Sequence, residues 1–308
     1  MTRAVVFAYH NVGVRCLSVL LAGGVDVQLV ITHQDQPSET IWFDSVAELA
    51  ALHDIPVITP DDPNTPEVVQ RIRALQPDLL FSFYYRHMLK PALLTLPSRG
   101  AYNMHGSLLP KYRGRVPVNW AIIQGETETG ATLHEMVAKP DAGGIVAQQA
   151  IPILPNDTAA EVFNKVTVAA EIALHRCLPE LIAGTAKPIP QNLSQGAYFG
   201  GRKPEDGRIH WNDSAQHIHN LVRAVAPPYP GAYCVLDGQS ARILRTLVES
   251  NRQPRSQQPS LYCEQGRLYA DCGNGSVLRI VQLECNGEPL GADRFSALYG
   301  LKLVPLDS

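Results

Sequence analysis

The first 150 residues alternate between short apolar runs and segments with the spacing of a helix. The apolar runs occupy residues 4–9, 27–32, 56–59 and 78–83. The helical segments lie between them, at residues 14–22, 45–53 and 66–76. Nearly unbroken apolar runs are typical of parallel strands that are buried on both faces. Strands that alternate with helices at this spacing predict βαβ units and a parallel sheet.

The pattern continues with three further strands and one long helix. The strands are predicted at residues 101–105, 131–136 and 145–152. The helix is predicted over residues 158–183, because Thr158 and Glu161 have the spacing of a capping box and Gly184 is a typical stop. We expect the first domain to end shortly after this helix.

After Ile209 the pattern changes to one helix followed by short β-type runs. The helix is predicted at residues 214–225, and the strands at residues 232–236, 241–248, 260–263, 267–270 and 277–283. Tight-turn pairs such as Asp237-Gly238 and Asn286-Gly287 separate them. Residues 251–259 contain no apolar residue except proline and predict a mobile loop. The prediction is therefore an α/β chain: a Rossmann-like, mainly parallel, doubly wound sheet in residues 1–200, and a smaller OB-like β-barrel in residues 201–308.

Composition narrows the class of protein. The chain has 308 residues, of which 45% are hydrophobic, and its formal net charge is −3. This balance excludes global disorder and argues against a general nucleic-acid binder. The sequence contains no apolar stretch of membrane-spanning length and no signal peptide. Because the six cysteines include no C-x-x-C pair, we expect reduced thiols, no zinc site, no membrane insertion and a cytoplasmic location.

Two other motifs predict no ligand. The first strand is followed by His10-Asn11-Val12-Gly13, and neither a G-x-G-x-x-G nor a Walker A sequence occurs, which disfavours a nicotinamide-dependent dehydrogenase. His217 and His219 lie on a predicted helix without acidic or Cys partners at metal-ligand spacing. We interpret both histidines as exposed, and we predict no metal site.

The densest polar cluster lies in residues 101–115. Asn103 and His105 are two apart on a predicted strand, so their side chains leave the same face, whereas Met104 points to the core. An amide can stabilise an oxyanion and an imidazole can transfer a proton, which suits acyl transfer. Asp141 is an available carboxylate partner, expected to raise the pKa of His105 and to fix its tautomer. From the residues alone, these side chains could equally be turn residues at a strand end and a loop acid.

The segment NMHGSLLPKYRG, residues 103–114, resembles the signature of the 10-formyltetrahydrofolate-dependent formyltransferases. This family includes methionyl-tRNA formyltransferases, a formyltetrahydrofolate hydrolase domain and sugar N-formyltransferases, and its two-domain layout also matches. The resemblance implies that Asn103 stabilises the tetrahedral intermediate, that His105 transfers the proton, and that Asp141 tunes His105. It also implies contacts with the co-substrate 10-formyltetrahydrofolate at His87, Met88, Leu89, Arg115, Val137, Ala138, Lys139, Pro140 and Asp141.

Three other segments indicate the acceptor. Residues 5–10, 81–87 and 125–130 resemble the family members that formylate UDP-4-amino-4-deoxy-L-arabinose, as one half of a bifunctional polymyxin-resistance protein. The resemblance therefore implies a nucleotide sugar as partner, and a role in lipid A modification and polymyxin resistance. Arg202 and Arg223 are candidate donors to its diphosphate, and Tyr229 is a candidate contact to its uracil ring.

Several alternatives stay open at this point. A methionyl-tRNA formyltransferase is disfavoured because residues 204–308 contain 10 Lys and Arg against 11 Asp and Glu, a net charge of −1, and because residues 32–40 contain no Lys or Arg. Another nucleotide-linked amino sugar, water as the acceptor, and binding without turnover are further alternatives. The sequence ends shortly after the barrel and lacks the decarboxylase half of the bifunctional protein. It does not distinguish a standalone enzyme from a part of one, or a monomer from a homo-oligomer.

Overall fold

The computed structural model describes residues 1–36 and 41–307. The chain divides into two compact units. The first unit contains Met1–Pro117, Glu128–Pro152 and Phe163–Gly200. The second contains Val118–Thr127, Ile153–Val162 and the chain from Gly201 onward. The units interleave along the chain, a feature that the prediction of two consecutive domains does not contain. Part of the segment compared with the tRNA enzymes, residues 37–40, lies outside the described residues.

Strands and helices alternate along the first half of the chain. The strands are β1 (Arg3–Ala8), β2 (Asp26–Ile31), β3 (Val57–Ile58), β4 (Leu79–Phe83), β5 (Ala101–His105), β6 (Arg113–Gly114), β7 (Glu128–Glu135), β8 (Ile145–Pro152) and β9 (Tyr198–Phe199). The helices are α1 (His10–Ala22), α2 (Val46–Leu52), α3 (Pro66–Leu75), α4 (Pro91–Leu94), α5 (Pro117–Ile123) and α6 (Ala159–Ala183).

The sheet of the first unit has the strand order β3-β2-β1-β4-β5-β7-β8. Strands β1 to β5 of this sheet run parallel, whereas β7 and β8 are antiparallel additions at one side. β1 and β4 are buried along nearly their whole length, which explains their unbroken apolar sequences. The predicted α/β class with a mainly parallel sheet is confirmed.

Two of the predicted helix starts, those of α3 and α6, agree with the capping chemistry. Thr65 caps α3, with Pro66 as its first residue. The Thr158 N–H and hydroxyl donate to Glu161 Oε2, and the Glu161 N–H donates back to Thr158 Oγ1, so the capping box forms. α1 begins at His10, earlier than predicted, because two polar residues form its first turn without interrupting the helix.

The second unit contains a curled antiparallel sheet. After α7 (Ala215–Val225) come β10 (Ala232–Leu236), β11 (Gln239–Val248), β12 (Ser260–Glu264), β13 (Arg267–Asp271), β14 (Val277–Cys285), β15 (Glu288–Pro289), α8 (Ala292–Tyr299) and β16 (Val304–Pro305). The strand order is β10-β11-β14-β13-β12-β16, and a bridge between Leu236 and Leu306 connects its two ends. Trp211 and Phe295 are fully buried in its core. The predicted small barrel is thus confirmed as a curled half-barrel.

One histidine on α7 differs from the prediction. His219 is only 3% exposed, so its interpretation as an exposed helix histidine is wrong. Its Nδ1 lies 2.8 Å from Thr246 Oγ1 and its Nε2 lies 3.0 Å from the Pro155 carbonyl oxygen. Burial lowers the pKa of His219. The ring therefore connects α7 to β11 and to the 153–162 segment. His217, by contrast, is exposed.

The segment predicted to be a mobile loop, residues 251–259, is attached to the half-barrel. The backbone N–H groups of Arg255 and Ser256 donate to Asp271 Oδ2 at 3.0 and 2.9 Å. The Arg252 guanidinium lies 3.8 Å from the centre of the Tyr269 ring.

All six cysteines are free thiols. Among the described residues, no helix combines the length and apolar character that a membrane crossing requires.

Candidate active site

Two neighbouring strands supply the central side chains. β5 ends with Asn103, Met104 and His105, and β7 runs antiparallel to it with Asn103 opposite His134. Directly opposite residues project to the same face, so the Asn103 and His134 side chains meet. Met104 is buried, as predicted. The chain turns at Gly106, where an added Cβ would overlap the Tyr84 hydroxyl oxygen and Tyr84 would have to move.

His105 is 6% exposed and has two neighbours with different roles. Its Nε2 lies 2.8 Å from the backbone carbonyl oxygen of Tyr112, and its Nδ1 lies 3.6 Å from Asp141 Oδ1. Because a carbonyl oxygen can only accept a hydrogen bond, Nε2 carries the ring proton and donates a hydrogen bond to the Tyr112 carbonyl oxygen. In the neutral ring, Nδ1 therefore has a free lone pair beside the Asp141 carboxylate.

The pKa of His105 is lowered overall, although Asp141 raises it as expected. Burial lowers it, and this effect outweighs the raising effects of Asp141 and of the Tyr112 carbonyl. The expected raising effect of Asp141 is therefore present, but the expectation left out the larger cost of burying a charged ring. The Tyr112 carbonyl fixes the tautomer, a contact that the sequence does not reveal.

Asp141 is ionised at neutral pH. Burial alone would raise the pKa of Asp141, but the His105 and His134 rings, when their facing nitrogens carry protons, and the backbone N–H of Gly114 lower it. The Gly114 N–H donates to Asp141 Oδ2 at 2.8 Å. The carboxylate thus presents Oδ1 to both imidazoles while the loop after β5 holds Oδ2.

His134 belongs to the cluster, although the sequence did not single it out. Its Nδ1 lies 2.7 Å from the Glu135 carbonyl oxygen, so Nδ1 carries the proton and Nε2 accepts. The Asn103 amide nitrogen lies 3.1 Å from that Nε2, and Asp141 Oδ1 lies 3.6 Å from it. His134 therefore fixes which way the Asn103 amide points, and it leaves the second N–H of the amide available. A histidine on a predicted strand was the feature that could have identified His134. Its pairing with Asn103 depends on the strand register, which the sequence does not specify.

The residues expected to contact folate lie on two loops of the first unit. His87 and Met88 are exposed, with Met88 at 59%, whereas the Leu89 side chain is buried in the apolar cluster that Met136 also packs against. The second loop carries Val137, Ala138, Lys139, Pro140 and Asp141, the first three of them exposed. Arg115 is exposed, and its backbone N–H donates to the Phe199 carbonyl oxygen.

The residues expected to contact the sugar nucleotide lie in the second unit. The Arg202 guanidinium lies over the Trp120 ring, 4.9 Å from its centre, and donates to the Asp206 carbonyl oxygen. Tyr229 is partly buried against the half-barrel core. The structure thus groups Asn103, His105 and Asp141 with His134 in the first unit. Arg202, Arg223 and Tyr229 lie in the second unit.

Arg223 has a structural task that the sequence did not predict. It is 6% exposed, and its guanidinium donates to Asn220 Oδ1 and to the Asp157 carbonyl oxygen. These bonds connect α7 to the 153–162 segment within the second unit.

Among residues 1–36 and 41–307, no group of three or more His, Cys, Asp or Glu side chains is arranged to hold a metal ion.

Comparisons with known proteins agree with this architecture. Three solved structures have the same fold. An N-formyltransferase from Helicobacter canadensis, in complex with folinic acid and dTDP-3-aminofucose, is 21% identical with a TM-score of 0.68, over 91% of this chain and 99% of that one. WlaRD, a sugar 3N-formyl transferase with dTDP and 5-N-formyl-THF, is 19% identical with a TM-score of 0.70, over 94% and 99%. HypX from Aquifex aeolicus, with tetrahydrofolic acid, is 18% identical with a TM-score of 0.64, over 97% of this chain and 48% of that one.

Family models match both parts of the sequence. The model for formyl transferase matches residues 9–178, more than half of the chain. The model for the formyl transferase C-terminal domain matches residues 202–298. The first match contains the whole cluster of Asn103, His105, His134 and Asp141. The chain therefore belongs to the formyl transferase family of enzymes.

Proposed function

We propose that this enzyme transfers the formyl group of 10-formyltetrahydrofolate to the amino group of a nucleotide sugar. The observation that carries the proposal is the arrangement of His105 between the Tyr112 carbonyl and the Asp141 carboxylate, next to the oriented amide of Asn103. This arrangement provides one proton acceptor, one hydrogen-bond donor and one partly buried negative charge close together. Transfer of an acyl group to an amine needs these three groups.

The roles of the residues follow from their hydrogen bonds. The second N–H of Asn103 donates to the formyl oxygen as negative charge develops on it. His105 Nδ1 accepts the proton that the attacking amine releases, and the imidazolium then delivers it to the leaving nitrogen. Asp141 Oδ1, at 3.6 Å, stabilises the imidazolium while it exists. Burial lowers the pKa of His105 and so favours the neutral ring that this role requires.

The chain offers suitable groups for a folate. When bound, 10-formyltetrahydrofolate supplies the formyl carbon on an aromatic amine that can leave. Exposed Met88 and Val137 offer apolar surface on two loops, and Leu89 and Met136 anchor those loops in one apolar cluster. Polar backbone groups of the 137–141 loop can bind the edge of the pterin. Two of the solved structures of the same fold contain formylated folates, and a third contains tetrahydrofolic acid.

For the acceptor, we propose UDP-4-amino-4-deoxy-L-arabinose, with a role in lipid A modification and polymyxin resistance in the cytoplasm. The proposal rests on the resemblance of residues 5–10, 81–87 and 125–130 to the enzymes that use this sugar. We further propose that the nucleotide is contacted by Arg202, Arg223 and Tyr229. The internal bonds of Arg223 make it the weakest of the three. A dTDP-linked amino sugar is the second candidate, because two proteins of the same fold were solved with dTDP ligands. The net charge of −1 in residues 204–308 favours either one over tRNA.

An acceptor competition tests this proposal. The enzyme and 10-formyltetrahydrofolate are incubated with UDP-4-amino-4-deoxy-L-arabinose, dTDP-linked 3-amino and 4-amino sugars, and methionyl-tRNA together, and the products are identified by mass spectrometry. We expect one formyl group on the UDP sugar. Formylation of only a dTDP sugar would transfer the assignment to the second candidate, and formylation of tRNA would contradict both.

The protonation of His105 can be measured without substrate. A buried His105 stays neutral as the pH falls through its ordinary pKa of 6.5, because burial lowers its pKa. NMR titration, with the signal assigned by its absence in His105→Gln, should give a midpoint below pH 6.5. Asp141→Asn removes the charge that favours the imidazolium, so it should lower the midpoint further. A midpoint above 6.5, or one that rises in Asp141→Asn, would contradict the assigned role of His105 as proton acceptor.

A further inference from the structure

A segment between the two family matches lies against the loop after β5, residues 106–116, which we call the signature loop. We call residues 189–199 the linker strap; it follows α6 and precedes the second match, which begins at residue 202. Its end, β9, pairs in parallel with β6 of the signature loop. The Arg113 N–H donates to the Ala197 carbonyl oxygen at 3.1 Å, and the Arg115 N–H donates to the Phe199 carbonyl oxygen at 3.0 Å.

Side chains strengthen this pairing. The buried Arg113 guanidinium donates to the carbonyl oxygens of Leu193 and Gly196, at 3.2 and 2.9 Å. The Phe199 ring stacks on Tyr112 at 5.1 Å, and it is the Tyr112 carbonyl that fixes the His105 tautomer. The linker strap thus supports the backbone of the loop that holds His105.

The linker strap also contacts the loop that holds Asp141. Gln191 Nε2 donates to the Asp141 carbonyl oxygen at 3.0 Å and to the Gly143 carbonyl oxygen at 2.6 Å. Asp141 has a backbone φ of +52°, a conformation that an L-residue adopts only when its surroundings hold it there. Gln191 Oε1 is buried without a hydrogen-bond partner in the described part of the chain. The amide is therefore oriented by the two carbonyl groups that it binds.

These two bonds are not what attaches the linker strap to the first unit. Ile189 and Ile145 exchange two backbone hydrogen bonds of 2.8 Å, and β9 pairs with β6 at the other end. The strap would remain anchored at both ends without the Gln191 amide. The two donated bonds instead act on the backbone at Asp141, whose carboxylate lies beside His105 Nδ1.

We propose that Gln191 is a positioning residue for catalysis, which holds the Asp141 carboxylate in place beside His105 from outside the signature segment. The inference rests on the proposed function, in which Asp141 stabilises the His105 imidazolium. It predicts that loss of the two bonds moves the carboxylate and weakens its effect on His105. The fold of the unit, with its two other attachments, should remain.

The test compares Gln191→Met, which removes the donors at similar size, with Gln191→Glu, which directs a carboxylate at two carbonyl oxygens. We expect kcat to fall about ten-fold in Gln191→Met and about a hundred-fold in Gln191→Glu, because small misplacements near the reacting atoms have effects of this size. The NMR midpoint of His105 should shift to lower pH in Gln191→Met, as in Asp141→Asn; Gln191→Glu is read by kcat alone, because its added charge acts on the midpoint in the opposite direction. In the double variant Gln191→Met/Asp141→Asn, the midpoint should equal that of Asp141→Asn.

Gln195→Met is the matched control, because the exposed Gln195 lies on the same linker strap and, among the described residues, its side chain has no hydrogen bond to either loop. It should keep the His105 midpoint and kcat of the parent enzyme. An unchanged His105 midpoint in a folded Gln191→Met protein would overturn the proposal. If Gln191→Met does not fold, Gln191→Leu, which also removes the donors without adding a charge, gives the same decision. If the parent enzyme forms no formylated product, the proposed function fails, but the titration still decides whether Gln191 positions Asp141.

Discussion

Replacing His105 with glutamine should lower kcat for formyl transfer by about 10²- to 10⁴-fold, the usual contribution of a positioned acid–base group. Glutamine can preserve a hydrogen bond to the Tyr112 carbonyl, but it has no basic nitrogen to take the place of Nδ1. The variant therefore tests proton transfer with little change to the loop. Initial rates at saturating concentrations of both substrates measure this effect, and KM for either substrate should change much less than kcat.

His175→Gln is the control for this substitution, because His175 is exposed on α6 of the same unit. It should leave kcat at the parent value. A His105→Gln enzyme that retains more than about a tenth of the parent kcat would contradict the role of His105, since one positioned acid–base group normally contributes at least 10²-fold.

Replacing Asn103 with alanine should raise the barrier to formyl transfer by about 2.7–4 kcal/mol, the effect of removing one oxyanion donor. The physical reason is that His134 holds one amide N–H of Asn103 and thereby aims the other. Single-turnover rates with both substrates bound measure the chemical step and exclude product release. The binding of 10-formyltetrahydrofolate should change little, because the developing charge exists only in the transition state.

Asn164→Ala, at an exposed position on α6, is the matched control for Asn103→Ala. Its single-turnover rate should equal that of the parent enzyme. A rate loss in Asn103→Ala that disappears at high concentrations of the folate would mean that Asn103 contributes to binding, and the oxyanion role would then be wrong.

The hydrophobic pattern predicts most of the architecture because burial determines it. Strands such as β5, β8 and β10 begin and end at the predicted residues, since apolar runs bounded by turn residues have few alternatives. Among the helices of four to eight residues, α2 was predicted whereas α4, α5 and α8 were not, since so few residues carry little periodicity. The assignment of residues 118–127 and 153–162 to the second unit depends on tertiary contacts and is not visible in local patterns.

The candidate site could be predicted only in part. The proximity of Asn103 and His105 could be predicted, because side chains two residues apart on a strand project from the same face. The contributions of His134 and Gln191 depend on strand register and on the path of the linker strap, which a local pattern does not contain. The direction of the His105 pKa shift depends on how deeply the ring is buried, and the exposure of His219 was misjudged for the same reason.

The central claim is that this chain moves a formyl group from folate to the amine of a nucleotide sugar. The most direct test uses 10-formyltetrahydrofolate labelled with carbon-13 in the formyl group and UDP-4-amino-4-deoxy-L-arabinose as the only acceptor, with carbon-13 NMR following the label. We predict that the formyl signal of the folate is replaced by a formamide signal on the 4-amino group, and that His105→Gln abolishes the exchange on the same time scale. Label that stays on the folate, or that appears only as formate, would contradict the claim.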